Sequence, residues 1–318
     1  MTMLNNRHAY LIIAHNNFEQ LIFLIKLLDH SQNDIYLFID GKVEDTSFEQ
    51  LYLKVNSLKT ASNIFFTDRV SVNWGDYSGI LAELILFKAA FSKGKYLFYH
   101  LISGSDLPLV NQETIHDFFE KNHEYQFLTM VNEETFLQNN VYERVSFHYI
   151  WPSISERSFK VKIFGKLFKK FFRKIEIYLN RLFKVDYFSK FHVSLGYASN
   201  WVSINEELVS IIISEEDWIK EVFSKSLLCD ELFIPTIINK YGLEKKIYYS
   251  KGMKNSPSSF QGNFRYINWW DGSPYTWTDS EKDKAEIVAA KKNGYLFSRK
   301  FDLERYPKLK DFILEQTK

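Results

Sequence analysis

Between residues 10 and 130 the chain alternates two hydrophobic periods. Short runs rich in β-branched and aromatic residues fall at 10–14, 35–39, 64–66, 96–102 and 126–130. They are separated by stretches with apolar residues three and four positions apart, at 18–28, 48–58, 79–91 and 112–120. The first spacing suits strands and the second suits helices. Strand and helix in alternation predict an α/β fold: a single, mostly parallel sheet with helices over its faces. Ligands of such sheets sit beyond the carboxyl ends of the strands, which directs attention to the loops opening at His15, Asp40, Asp68 and Ser103. Each loop taken alone is equally an ordinary polar turn.

Past residue 190 the pattern resumes. A strand is expected at 201–204, helices at 206–213 and 216–223, and a further helix at 230–240 whose first turn carries two acids. Beyond Tyr248 the sequence reads as irregular up to 295–301, and no solenoid repeat is present.

The stretch 157–190 stands apart. It holds eleven Lys or Arg against Glu176 and Asp186, a net charge of +9, so the rest of the chain is acidic by about eight charges. Apolar and aromatic residues, among them Phe171, Ile175, Tyr178 and Leu182, recur within it at helical spacing. Three readings suit a basic amphipathic helical insertion. It lies in the interface of an anionic membrane, or packs an apolar face on the core with solvated cations, or binds nucleic acid, the last disfavoured by the acidic remainder.

Composition narrows the class. The 318 residues are 46% hydrophobic with 18 Gly and Pro, which fits one globular domain spanning 1–318 and excludes collagenous or disordered chains. The net charge of +1 removes any global attraction to nucleic acid. Cys229 is the lone cysteine, so no internal disulfide forms and a reducing cytoplasm is expected. The polar N-terminus and the short apolar run at 9–14 show neither an export signal nor a membrane span.

Common signatures are absent: Gly-x-Gly-x-x-Gly, the Walker phosphate loop and Gly-x-Ser-x-Gly do not occur. The eight His are dispersed and form no metal-binding spacing, so no metal is expected. His15 and His100 read most simply as structural histidines at strand ends. The run HLISGSDLPL at 100–109 makes a sharp turn after a buried strand and directs Ser103, Ser105 and Asp106 into the crevice, where they could hold a sugar hydroxyl. In CDELFIPT at 229–236, Asp230 resembles a helix cap, and Glu231 is an ionised general base unless burial opposes it. Arg265, Arg299 and Lys300 lie within aromatic sequence, where a cation needs an anionic partner: a diphosphate or an internal Asp.

The series AYLIIAHNNFEQL, IYLFID, VNWGDYS, LISGSDLPL, NWVSIN, DELFIPT, FRYINW and LFSRKFD resembles glycosyltransferase family 14 in content and order. That family comprises the branching β-1,6-N-acetylglucosaminyltransferases and the peptide O-xylosyltransferases. Only roughly 135–190 falls outside the resemblance. It implies an A-type glycosyltransferase fold and inverting transfer from a UDP-sugar without the metal-binding Asp-x-Asp triplet, which this chain lacks. It further implies Glu231 as base and donor contacts from His15, Asp40, Arg265, Arg299 and Lys300. Acceptor contacts would come from Ser103, Ser105, Asp106, Asn200, Trp201 and Asp230. Where the xylosyl branch reads Gly-Ser-Asp-Trp, this chain has Ser199-Asn200-Trp201, and an amide cannot act as a base.

The expectation is therefore an inverting, metal-independent transferase moving N-acetylglucosamine from UDP to a glycan or lipid-linked glycan. The setting expected is bacterial surface polysaccharide synthesis at the inner face of the cell membrane. Transfer of xylose or another hexose, or an inactive glycan- or membrane-binding relative, remain alternatives.

Overall fold

A computed structural model describes residues 6–150 and 162–318, the side chains of 162–169 excepted. Residues 1–5 and the opening 157–161 of the basic stretch lie outside the described residues. The first half runs β1 (His8–Ala14), α1 (Phe18–Leu27), β2 (Asn33–Ile39), α2 (Asp45–Asn56), β3 (Asn63–Phe66), α3 (Ser78–Lys93) and β4 (Phe98–Ser103). It continues through β5 (Leu107–Pro108), α4 (Gln112–Lys121), α5 (Glu133–Gln138), α6 (Glu143–Ser146) and α7 (Lys162–Leu182). The remainder comprises β6 (Ser203–Asn205), α8 (Glu206–Ser214), α9 (Glu216–Phe223), α10 (Phe233–Lys240), β7 (Arg265–Ile267), α11 (Glu281–Lys292), β8 (Phe297–Arg299) and α12 (Leu309–Gln316).

Five strands form the central sheet in the order β3-β2-β1-β4-β6, all parallel except β6, which runs antiparallel to β4. Alternate residues of β1 enter opposite layers, as the two-residue period of a strand requires. Tyr10 and Ile12 join Leu24, Ile115, Phe119, Ile287 and Ile313 on one face. Ala9 and Leu11 join Leu84, Phe87, Leu208, Ile212 and Ile237 on the other. Full burial of each large apolar side chain contributes about 1.5–3 kcal/mol. With both faces covered, the open carboxyl edge is where a ligand can enter.

Three local expectations are corrected. Residues 126–130 make isolated bridges, such as Phe127 with Ser203 and Met130 with Ala198, because no strand runs alongside them continuously. The helix expected at 230–240 begins at Phe233, so Asp230 does not cap it. The C-terminal region holds α11, whose N-cap Ser280 accepts from the Asp283 amide, and α12. It also supplies β7 and β8 to a second, three-stranded sheet ordered β5-β8-β7.

Candidate active site

The loops after β1, β2 and β3 meet at the carboxyl edge. His15 is exposed one residue beyond β1. Asp40, one residue beyond β2, accepts hydrogen bonds from the backbone amides of Lys42 (2.9 Å) and Val72 (3.2 Å). Gly41 donates to the Val70 carbonyl, and a Cβ there would lie 2.8 Å from the Val70 carbonyl carbon, so only glycine permits this approach. Lys42 Nζ donates to Asn73 Oδ1 and the Val72 carbonyl, closing the second and third loops onto each other.

The small sheet delivers the cations. β7 and β8 are parallel, with Arg265 opposite Phe297 and Ile267 opposite Arg299. The two arginines have different fates. Arg265 is fully buried, and its guanidinium donates to the carbonyls of Leu101, Val202 and Asn263 and to Ser203 Oγ. Burial lowers its pKa to about 10, leaving it charged at neutrality. It is a strut between β4, the run before β6 and the small sheet, which removes it from the cations able to meet a diphosphate. Arg299 lies at the edge: Nη1 donates to Ser103 Oγ at 2.9 Å, and the guanidinium stacks 4.4 Å from the centroid of Trp201. Its Nε has no hydrogen-bond partner among the described residues. Lys300 follows directly and is exposed.

The turn after β4 is corrected in one respect. Ser105 is partly exposed, whereas Ser103 is buried, its Oγ accepting from the Ser105 amide as well as from Arg299. Asp106 instead points inward and is fully buried, accepting from the Ser103 amide at 2.6 Å with its other oxygen 3.6 Å from Arg299. It is therefore the internal counter-ion of Arg299 and is not open to an acceptor.

The acids lie on the other side of the run Ser199–Trp201. Asn200 Nδ2 donates to Asp230 Oδ2 at 3.5 Å, while the next residue, Trp201, carries Arg299 on its ring. This short run therefore joins Asp230 to Arg299. Asp230 and Glu231 occupy the turn preceding α10, and the Glu231 carbonyl accepts from the Ala198 amide. Burial, then the charge of Asp230, raises the Glu231 pKa to about 7, partly opposed by Arg144 and Tyr197. Arg144 Nη1 lies 3.4 Å from Glu231 Oε2, and its guanidinium sits over the Tyr197 ring. Burial outweighs the helix-terminus effect expected from sequence. The result is a carboxyl group about half ionised at neutral pH and one-third exposed, the tuning a general base requires.

Arg144 and Tyr197 escaped the sequence reading. Arg144 lies on α6, within the segment outside the motif series, and no local pattern distinguishes it from a surface arginine. Glu83 escaped too, although one acid within the apolar ILAELILF was a usable signal. It is buried in α3 with one carboxylate oxygen lacking a hydrogen-bond partner among the described residues, and burial and then Asp230 raise its pKa well above the ordinary value. His100 is a satisfied core residue bonded to Ser203 Oγ and His8. Among the described residues, no group of three or more His, Cys, Asp or Glu is arranged to hold a metal ion.

A family model described as Core-2/I-Branching enzyme matches residues 8–291. That span contains every residue of the site except Arg299 and Lys300. No curated protein matches the chain.

Proposed function

The chain belongs to the Core-2/I-branching enzyme family of glycosyltransferases, and from that membership we propose inverting transfer from a UDP-sugar to a glycan hydroxyl. N-acetylglucosamine is the sugar proposed. The supporting observation is the run Ser199–Trp201, with a tuned carboxyl group on one side and a stacked, partly exposed arginine on the other.

In the proposed reaction the Glu231 carboxylate takes the proton of the acceptor hydroxyl while that oxygen bonds to the anomeric carbon. The bond from that carbon to the diphosphate breaks on the opposite face, and its electron pair leaves with UDP. Configuration is thereby inverted. Arg299 and Lys300 receive the departing charge without a metal, Arg299 being preorganised by Ser103, Asp106 and Trp201. Fixed cations in a water-poor site stabilise a developing anion by several kcal/mol. His15 and Asp40, at the ends of β1 and β2, are assigned to the nucleoside end. Ser103, Ser105, Asn200, Trp201 and Asp230 line the sugar and acceptor side.

Asn200 supports N-acetylglucosaminyl over xylosyl transfer, because an amide, which cannot take a proton, stands where the xylosyl branch has a carboxylate. The proposed setting is bacterial surface polysaccharide synthesis on the cytoplasmic side of the membrane.

UDP release is measured with a panel of UDP-sugars and glycan acceptors, with and without chelator. Turnover is expected with UDP-N-acetylglucosamine, insensitive to chelator and abolished in Glu231→Gln, with UDP binding nearly unchanged. Turnover retained by Glu231→Gln overturns the base assignment, and chelator-sensitive turnover overturns the metal-free mechanism.

A further inference from the structure

An ordinary surface helix turns its apolar side inward and its polar side to water. Helix α7 is mounted the other way over its described side chains. Phe171, Tyr178 and Leu182 are 65%, 65% and 58% exposed, whereas Glu176 and Asn180 are 5% and 8% exposed. At 100° per residue, Phe171, Ile175, Tyr178 and Leu182 fall on one stripe, opposite Glu176 and Asn180.

The inward side is fixed by polar contacts. Glu176 accepts from the Ile150 amide at 2.8 Å and from Arg173 at 2.6 Å. Asn180 accepts from the His148 amide and donates to the Glu176 carbonyl. Arg181 pairs with Glu143 of α6 through two 2.9 Å hydrogen bonds. The helix is thus held in register with its apolar ridge outward.

Beside that ridge, Lys170, Lys174, Arg181 and Lys184 are exposed, while Glu176, the sole acid between 162 and 184, is buried. Phe183, 72% exposed, extends the apolar surface past the helix end. No helix among the described residues is long and apolar enough to cross a membrane.

We propose that α7 docks this protein onto an anionic lipid surface, its apolar ridge entering the headgroup–acyl boundary and its flanking lysines meeting lipid phosphates. Charge selects this occupant. A second copy apposed through the same ridge would bring two cationic flanks together, whereas an anionic bilayer supplies both a hydrocarbon boundary and opposite charge. The assignment of this surface does not depend on the proposed reaction.

The test is co-sedimentation of the full chain with phosphatidylcholine vesicles and with vesicles containing phosphatidylglycerol, at low and high salt. Binding is expected to the anionic vesicles at low salt and to be released at high salt. Phe171→Ser/Tyr178→Ser/Leu182→Ser alters exposed positions and is expected to keep the wild-type melting temperature while losing vesicle binding. Lys170→Gln/Lys174→Gln/Lys184→Gln is a second, independent variant, expected to lose about fivefold in partitioning per cation removed.

Failure of wild type to bind anionic vesicles overturns the proposal, as does undiminished binding by both variants. A vesicle-independent dimer that the serine variant dissolves would assign the ridge to a second copy. Binding to single-stranded nucleic acid in preference to vesicles would assign it to that partner.

Discussion

Replacing Glu231 by Gln removes a carboxyl group that the fold holds against its ionisation. The folded-state pKa is about 7, against an ordinary value of 4.5. The folded state therefore binds this proton more tightly than the unfolded chain does. Below about pH 4.5 both states are protonated and the group costs nothing. As pH rises through 4.5 towards 7 the unfolded chain ionises first, and stability falls. Above 7 the full cost is present. At about 1.36 kcal/mol per pKa unit, the rise from 4.5 to about 7 corresponds to about 3 kcal/mol. Because 34% of the side chain is exposed, solvent screening reduces this to about 1–2 kcal/mol. Gln retains an oxygen able to accept from Arg144. Glu231→Gln is thus expected to melt about 2–3 °C above wild type at pH 8 and within 1 °C of it at pH 5. Thermal unfolding followed by circular dichroism at both pH values makes the comparison. Equal shifts at the two pH values, or a variant less stable at pH 8, would refute the reasoning.

As the proposed base, the same carboxyl group is expected to set the activity profile: kcat/KM should rise with pH through an inflection near 7, and an inflection near 4.5 would show that burial does not act on it. Arg144→Met removes a charge that favours ionisation, so the inflection should move upward while UDP affinity, measured by calorimetry, stays within twofold. Arg265→Leu strands buried carbonyls and is expected to cost about 3 kcal/mol in urea unfolding, whereas Arg299→Gln is expected to weaken UDP binding at least tenfold and also to lower stability, because it leaves buried Asp106 without its counter-ion. His116 is held near pKa 4 by burial and then by the charge of His30, while burial also lowers His8 and His100. The contribution of these histidines to stability is therefore complete above about pH 6.5 and is lost as pH falls towards 4. Near pH 5 the loss from His116 is about 2 kcal/mol, and His116→Gln should flatten the fall.

The central sheet was legible because each strand of β1, β2 and β4 is bounded by a polar loop and followed by a helix with clear periodicity. The small C-terminal sheet was not, because β5, β7 and β8 are two or three residues long and carry no alternation to read. The cations showed the same limit. Arg265 and Arg299 look alike in sequence, each among aromatic residues, yet register places one beneath the sheet junction and the other at the crevice. Asp106 was correctly assigned to the turn but not to its inward direction, which depends on an arginine nearly two hundred residues away. For Glu231 the residue was legible and its environment was not: the helix starts three residues later than the pattern suggests, and Arg144 arrives from a segment with no motif. In 162–182 the amphipathic pattern was plain, but periodicity cannot say which side faces the body. Buried Glu176 and Asn180 decide that.

The central claim is that Arg299 and Lys300 receive the diphosphate while Glu231 faces the acceptor. A crystal structure with UDP bound tests it most directly. Phosphate oxygens are expected within hydrogen-bond reach of the Arg299 guanidinium or Lys300 Nζ, on the Trp201 side of the crevice. Phosphates seated away from both side chains would contradict it.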